Sequence, residues 1–168
     1  ILDSKIIGGG MAIGVIGISK NVYRNIEKKK IFYGGTFSGN SLSSFVGNET
    51  LKYLMKNKKI IQKINAKSKY FQDNLNRYIY LNKMNLKIYR YSSILRIVYT
   101  KNKINNRTQR DFFENKISKK IGNFKKFLFQ KKIYYPSSGI IFFSNATSFK
   151  NIDYVIKNLK IGFKKYFK

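Results

Sequence analysis

The chain has 168 residues, and 35 lysines and arginines against 7 acidic residues give it a formal charge of +28. It contains no cysteine and no histidine, which excludes disulfides, thiolate nucleophiles, cysteine-ligated zinc and a histidine general base. Any chemistry must therefore depend on lysine, carboxylates, hydroxyls or a cofactor.

The positive charge is scattered along every segment and is not gathered on one predicted element. Lysine, isoleucine, asparagine, phenylalanine and tyrosine are frequent, and all have A/T-rich codons, so we interpret the charge as a solvated basic surface of a protein from an A/T-biased genome. A nucleic-acid-binding module is a less favoured alternative, because most aromatic residues fall on predicted apolar stripes. The longest apolar stretch, from Ile6, is too short and too rich in glycine to cross a bilayer. We expect no membrane partner, no metal and a cytoplasmic location.

The first 40 residues predict a strand between two glycine-rich segments. AIGVIGI, residues 12–18, is a short apolar run bounded by glycine, which is typical of a buried strand. GGG precedes it, and the turn-rich YGGTFSGNS, residues 33–41, follows it. The chain opens abruptly on ILDSK, without an initiator methionine, in what resembles the end of a buried strand. This opening suggests part of a longer protein.

The remaining elements alternate between helical and strand periodicity. NLKIYRYSSILRIVYTK predicts two strands with a turn near Ser92, and GIIFFS, residues 139–144, predicts another. Ser148 is a candidate N-cap for a final helix. Helical spacing occurs in four sets: Leu42, Phe45, Val46, Tyr53 and Leu54; Ile60, Ile64, Phe71, Leu75 and Tyr78; Phe113, Ile117, Ile121, Phe124 and Leu128; and Ile152, Val155, Ile156, Leu159 and Phe163.

This order of elements predicts an α/β piece followed by a small α+β unit. We expect the strands near 86–99 and 139–144 to form one mostly antiparallel sheet. The helices at 112–130 and 148–166 should cover that sheet.

Lys5 stands directly before the apolar and glycine-rich stretch IIGGG. Consecutive glycines allow backbone N–H groups to converge on an anion, so a phosphate-binding loop is one interpretation. An ordinary turn beside a solvated lysine is the other. The dinucleotide-binding fingerprint fails because no helix and distant acid follow the required glycine spacing, and the Walker motif fails because its lysine follows the glycines.

Four segments together carry a longer resemblance: SKIIGGGMAIGVIGISKNVYRNI, YGGTFSGNSLS, YSSILRIVYT and IYYPSSGIIFFSNATSFKNIDYVIKNL. In this order they resemble the C-terminal part of the class III aminotransferases, which use pyridoxal phosphate. Within that family, glutamate-1-semialdehyde 2,1-aminomutases are the most similar, which implies amino-group transfer in tetrapyrrole precursor synthesis. The resemblance covers nearly the whole chain, and TKNKINNRTQRDFFENK is its least comparable part.

The resemblance implies an α/β fold, the C-terminal portion of a pyridoxal-phosphate-dependent transferase of fold type I. Residues 1–40 would end the large cofactor-binding domain. Residues 41–83 would form long connecting helices, and residues 84–168 the small α+β domain.

The resemblance also implies the site. Lys5 matches the catalytic lysine, which binds pyridoxal 5'-phosphate as a Schiff base. Gly35 and Thr36 match the pair that binds the cofactor phosphate of the neighbouring subunit, so a homodimer acting on a small amino or keto acid is expected. The structural alternative is that Thr36 caps the helix that begins near Asn40.

Several positions depart from the family pattern. Ala12 and Ser41 stand where the family usually has proline, and Thr147 stands where a histidine is expected. The substrate-side glutamate of the family has no clear equivalent in YPSSGIIFFS. In the family, the aspartate at the cofactor's ring nitrogen and the stacking aromatic residue precede the lysine, so this chain alone is expected to be incomplete and inactive. Another class III aminotransferase and a catalytically dead remnant remain alternatives.

Overall fold

A computed structural model describes the backbone of residues 2–4 and all of residues 7–32 and 34–168. The chain divides into two compact units, unit 1 with residues 1–58 and unit 2 with residues 59–168. Packing into units does not test the family domain boundaries after residues 40 and 83, which stay a prediction.

Unit 1 contains a two-stranded antiparallel sheet and two helices. Its strands are β1 (Leu2–Ser4) and β2 (Gly14–Ile16), and its helices are α1 (Lys20–Lys28) and α2 (Ser41–Lys56). The strand predicted at residues 12–18 is therefore present, although shorter than expected. The prediction that it is buried is wrong, because Ile16 is 71% exposed and, in the described part of the chain, β1 alone pairs with β2.

The glycine-rich segment after Lys5 packs closely on α2. A Cβ at Gly47, in α2, would lie 3.2 Å from the backbone oxygen of Ile7. Gly9 has a φ of +56°, and a Cβ there would lie 2.5 Å from Thr50 Oγ1 and 2.9 Å from Val46 Cγ1. Glycine is therefore favoured by close approach at Gly47 and by both space and conformation at Gly9.

Unit 2 contains a three-stranded sheet and four helices. The strand order is β3–β4–β5 with both pairings antiparallel, which confirms the predicted sheet. Ser92, with a φ of +54°, lies in the predicted turn between the first two strands. The elements are α3 (Lys59–Leu81), β3 (Lys87–Tyr91), β4 (Ile94–Val98), α4 (Arg107–Lys116), α5 (Ser118–Gln130), β5 (Ile140–Phe142) and α6 (Phe149–Phe167).

The core of unit 2 joins α3, α5 and α6 to the sheet. Asn76 of α3 accepts a hydrogen bond from the backbone N–H of Ile88 and donates one to the oxygen of the same residue, so α3 is bonded directly to β3. The part that α3 plays in covering the sheet was not predicted. The core residues that are almost fully buried are Phe71, Leu75, Ile88, Leu95, Ile97, Phe124, Leu128, Ile152, Leu159 and Phe163.

The single helix predicted through residues 113–128 is wrong, because α4 and α5 are separated at Ile117. This residue leaves helical geometry, with φ −122° and ψ 22°, while its side chain packs against the core. The apolar spacing continued across the break and concealed it. The final helix begins as predicted, because Ser148 accepts a hydrogen bond from the N–H of Asn151 at 3.1 Å.

Among the described residues, no helix combines the length and apolar character needed to cross a membrane.

Candidate functional site

A cleft of about 580 Å³ lies within unit 1. The segment around β2 forms one wall, and the turn leading into α2 forms the other. Among the described side chains, no acidic residue lines the cleft; the lining residues are Ala12, Ile13, Gly14, Val15, Gly35, Phe37, Ser38, Gly39, Asn40, Ser43 and Ser44.

Short-range hydrogen bonds fix the turn that carries the family glycine and threonine. The N–H of Ser38 donates to the oxygen of Gly35 at 2.8 Å, and the N–H of Asn40 donates to the oxygen of Phe37 at 3.2 Å. Gly39 adopts a φ of +68°, which glycine tolerates without strain. The turn therefore delivers the chain to the start of α2 in one defined direction.

Asn40 is the N-cap of α2. Its Oδ1 accepts a hydrogen bond from the N–H of Ser43 at 2.9 Å, and its backbone oxygen accepts one from Ser44 at 2.9 Å. The alternative in which Thr36 caps this helix is therefore wrong. The predicted helix start near Asn40 is confirmed, and the side chain of Asn40 itself is the cap.

Thr36 lies beside Gly35 at the start of the turn and is exposed. Within the residues that the structure describes, neither its hydroxyl nor its N–H has a hydrogen-bond partner, and it does not line the cleft of its own unit. Gly35, in contrast, lines that cleft. Lys5, the third predicted site residue, lies outside the described residues.

The cleft meets the requirements of a phosphate group. The first N–H groups of a helix have no partners inside the helix, and the positive end of the helix dipole favours an anion. The N-terminus of α2, a helix of 16 residues, supplies such an end at the cleft. The wall of the cleft formed around β2 was not predicted from the sequence. The periodicity within residues 12–18 does not show which part of the chain those residues face.

The family of the chain follows from a sequence comparison. The sequence model of the family Aminotransferase class-III matches residues 1–115, more than half of the chain. The chain belongs to the class III aminotransferase family. Enzymes of this family use pyridoxal phosphate.

Two relatives are named as glutamate-1-semialdehyde 2,1-aminomutases. The protein of Thermosipho melanesiensis is 30% identical over 139 residues, which are 82% of this chain and 30% of that protein. Glutamate-1-semialdehyde 2,1-aminomutase 2 of Lachnoclostridium phytofermentans is 25% identical over 154 residues, 89% of this chain and 35% of that protein. The chain thus spans about a third of the length of these relatives.

Solved structures show the same fold. The β-phenylalanine aminotransferase of Variovorax paradoxus matches with a TM-score of 0.79 at 16% identity, over 98% of this chain and 38% of that chain. A lysine-to-alanine variant of the Pseudomonas aeruginosa glutamate-1-semialdehyde aminomutase, in complex with PMP, matches with a TM-score of 0.66 at 9% identity, over 80% and 29%. The chain therefore has part of the fold type I architecture, as predicted.

Two departures from the class III aminotransferase pattern have local explanations. Ser41 is the first residue of α2, where proline is favoured because no intrahelical N–H bond is made; serine requires none either. Thr147 Oγ1 accepts a hydrogen bond from the N–H of Ser144 at 3.1 Å and closes the turn before α6. Threonine therefore has a structural task at the position where a histidine was expected.

Unit 2 contains a polar cluster that sequence reasoning missed. Arg96 and Glu114 form an ion pair at 3.0 Å, and both side chains are largely buried. Burial raises the pKa of Tyr135 to about 12 and raises the pKa of Tyr99 well above its usual value. Tyr135 donates its hydroxyl to the oxygen of Gly139 at 3.2 Å. The available signal was an arginine within the otherwise apolar strand ILRIV.

Proposed function

We propose that the chain supplies part of the active site of a pyridoxal-phosphate-dependent enzyme similar to glutamate-1-semialdehyde 2,1-aminomutase. Lys5 is its catalytic lysine, and Gly35 and Thr36 bind the cofactor phosphate. The substrate is a small amino or keto acid, and the location is the cytoplasm. Membership of the family and the names of both relatives support this proposal.

The observation that carries the proposal is the turn before α2. Among the described residues, the donors of Thr36 have no partner and no acidic side chain lines the cleft, and together with the N-terminus of α2 these features suit a phosphate dianion, which needs several converging donors. Gly35 leaves room for the anion to approach the backbone, and Thr36 adds a hydroxyl to its own N–H. The motif matched in sequence therefore has suitable local geometry.

When bound, pyridoxal phosphate supplies the electron sink needed to break bonds at the substrate's α-carbon. Lys5 would contribute a side-chain amine that attaches the cofactor and afterwards takes up and returns the α-proton. For this task the amine must lose its proton near neutral pH, which confinement favours. The segment after Lys5 supports such confinement, because Gly9 lets the backbone pack closely on Val46 and Thr50 of α2.

Thr36 would serve the neighbouring subunit of a homodimer. Its exposed side chain does not line the cleft of its own unit, which supports a ligand presented from outside that unit. In a two-fold dimer, each subunit can present the same loop to the site of the other.

Reductive labelling tests the role of Lys5. The full chain is incubated with limiting pyridoxal phosphate, reduced with borohydride, digested and mapped by mass spectrometry. We expect the pyridoxyl group on Lys5 both in the wild type and in the Lys20→Arg variant. Lys20 lies at the exposed start of α1, and this variant is the matched control. Lys5→Arg should lose the specific label.

Labelling spread evenly over surface lysines, by a chain with unchanged circular dichroism, would contradict the proposal and favour a remnant without cofactor chemistry. Lys5 labelling that a glutamate-1-semialdehyde analogue does not prevent when it is added before the reduction, but that another amino donor does prevent, would favour a different class III aminotransferase.

A further inference from the structure

A second cleft, of about 420 Å³, lies in unit 2 at the end of α5. It is lined by Lys125, Lys126, Phe129, Gln130, Tyr134 and Tyr135. Two of the aromatic rings are not part of the core, because Phe129 is 72% exposed and Tyr134 is 80% exposed. Sequence reasoning assigned the aromatic residues mainly to apolar stripes, and these two are exceptions.

In the described part of the chain, the lining of this cleft contains two lysines and no acidic residue. No acidic residue occurs between Glu114 and Asp153 in the sequence. Glu114 pairs with Arg96, and Asp153 accepts a hydrogen bond from the hydroxyl of Tyr70 at 2.7 Å. The same sequence interval contains the lysines of α5 and its C-terminal turn: Lys119, Lys120, Lys125, Lys126, Lys131 and Lys132.

The end of α5 presents few free acceptors that would repel an anion. The N–H groups of Lys131, Lys132 and Ile133 occupy the last carbonyl oxygens of the helix. The ammonium of Lys125 lies 5.8 Å from the ring centroid of Tyr135 and donates to the oxygen of Ser137 at 3.5 Å. Cationic and aromatic groups therefore lie together at one cleft.

We propose that this cleft binds single-stranded nucleic acid, with bases stacked on Phe129 and Tyr134 and phosphates beside the lysines. Stacking on exposed rings with lysines along the backbone is the usual arrangement for single strands. A duplex keeps its bases stacked on each other and does not offer them to such rings. The concave shape and the polar Gln130 at its lining favour a nucleic-acid strand over a lipid surface, which a protruding apolar face binds. This proposal does not depend on the cofactor chemistry.

The first test separates stacking from general charge. The affinity of the full chain for labelled oligo(dT) and oligo(U) of about 12 nucleotides is measured by fluorescence anisotropy over a salt series. The double variant Phe129→Ala/Tyr134→Ala keeps every charge, and we expect binding about tenfold or more weaker with an unchanged salt slope. The matched control is Tyr80→Ala/Tyr91→Ala, which removes rings that are 81% and 83% exposed elsewhere in unit 2 and should change little.

The second test concerns the phosphates. For single strands the slope of log K against log salt is about −0.7 for each neutralised phosphate. Lys125→Gln/Lys126→Gln should therefore make the slope about 1.4 less steep, while Lys157→Gln, on α6, serves as an exposed control. Equal affinities for DNA and RNA would indicate recognition of bases and phosphates without the ribose hydroxyl. A preference for one of them would indicate which of the two nucleic acids this cleft binds.

Three outcomes would overturn the proposal. The two aromatic double variants could weaken binding equally or not at all, which would show a merely basic surface. Duplexes, heparin or anionic vesicles could bind as tightly and with the same response to the variants. Finally, the Phe129→Ala/Tyr134→Ala chain could have an altered thermal transition, so that its weaker binding would reflect lost stability. The single Tyr134→Ala chain then decides: if it folds normally and binds as tightly as the wild type, the proposal fails. None of these outcomes affects labelling of Lys5.

Discussion

The two units divide packing and chemistry between them. Unit 2 has a continuous core that runs from Phe71 to Phe163, whereas Ile7 is the one buried large apolar side chain recorded in the described part of unit 1. Yet unit 1 carries Lys5, Gly35 and Thr36. Its candidate site is held by close backbone approach and a helix cap, which are local devices. The proposed site therefore lies in a region whose own core contributes little stability.

Unit 1 also exposes apolar side chains that a monomer normally covers. Exposed large apolar side chains, where they form a patch, commonly mark an interaction surface. Their presence supports the proposed subunit assembly. The exposed side chains include Ile16, Phe32, Phe37, Leu42, Phe45, Tyr53 and Met55.

The largest expected difference between the units is the loss of unfolding free energy when one phenylalanine in each unit is replaced by alanine. Phe124 is fully buried and contacts the rings of Phe163 and Phe167, so Phe124→Ala should reduce the free energy of unfolding by about 3–5 kcal/mol. Phe45 is largely exposed, and Phe45→Ala should cost no more than about 0.5 kcal/mol. Urea denaturation of both variants measures the difference. Similar losses would show that unit 1 has a core of its own.

Thr36→Ala should weaken the binding of pyridoxal phosphate and leave the free energy of unfolding almost unchanged. Removal of a hydrogen bond to a charged phosphate costs about 1.5–3 kcal/mol, or about ten- to a hundredfold in affinity for pyridoxal phosphate. Because Thr36 is exposed and unbonded in the described part of the chain, its unfolding free energy should change by less than about 0.5 kcal/mol. Cofactor titration and urea denaturation on the same samples measure both quantities. An unchanged affinity would remove Thr36 from the site.

Mixed subunits test whether Thr36 acts across the dimer. Thr36→Ala chains should label weakly at Lys5 when cofactor is limiting, and Lys5→Ala chains should not label there at all. If Thr36 serves its neighbour, addition of Lys5→Ala chains restores labelling of the Thr36→Ala chains. No restoration, after subunit exchange has been verified, would place Thr36 in its own subunit's site or in none.

How far the sequence predicted this molecule depended on the range of the interaction involved. Local signals sufficed for the turn at Ser92, the cap at Ser148 and the strands and helices of unit 2 other than the break between α4 and α5, but they missed α1 in unit 1. They failed at Ile117, where the apolar spacing continues through a break in the helix. They also failed at β2, whose burial depends on what covers it and not on its own residues. The arginine within the apolar strand ILRIV signals a buried polar group, but its partner Glu114 lies in another element, so no local pattern could identify the ion pair.

Two helical glycines provide a finer test of core packing in unit 2. A Cβ at Gly162, in α6, would lie 2.5 Å from Phe124 Cε2, so Gly162→Ala should lower the unfolding free energy by about 1–3 kcal/mol. Around Gly122, in α5, nothing lies within 4 Å of the added Cβ, so Gly122→Ala should raise it by about 0.5–1 kcal/mol through helix propensity. Thermal and urea unfolding should show opposite signs. Stabilisation by both substitutions would mean that α5 and α6 are not tightly packed.

The smallest effect concerns the pH dependence of unit 2. Burial raises the pKa of Tyr135 to about 12 in the folded chain, against about 10 when unfolded. A folded-state pKa above the unfolded value gives stability that is present below pH 10 and is lost as the pH rises toward 12. At about pH 11 the loss amounts to about 1.4 kcal/mol for this group, since one pKa unit corresponds to that energy.

Tyr135→Phe lacks the titrating hydroxyl, although it also lacks the hydrogen bond to Gly139, which lowers its stability equally at every pH. The quantity to compare is therefore the change in unfolding free energy between pH 9 and pH 11, which should be larger in the wild type than in Tyr135→Phe. Tyr134→Phe, an exposed neighbour with no such burial, should match the wild type. Parallel pH profiles for all three chains would show that Tyr135 ionises as freely in the folded chain as in the unfolded one, and would contradict the buried position that distinguishes unit 2 from unit 1.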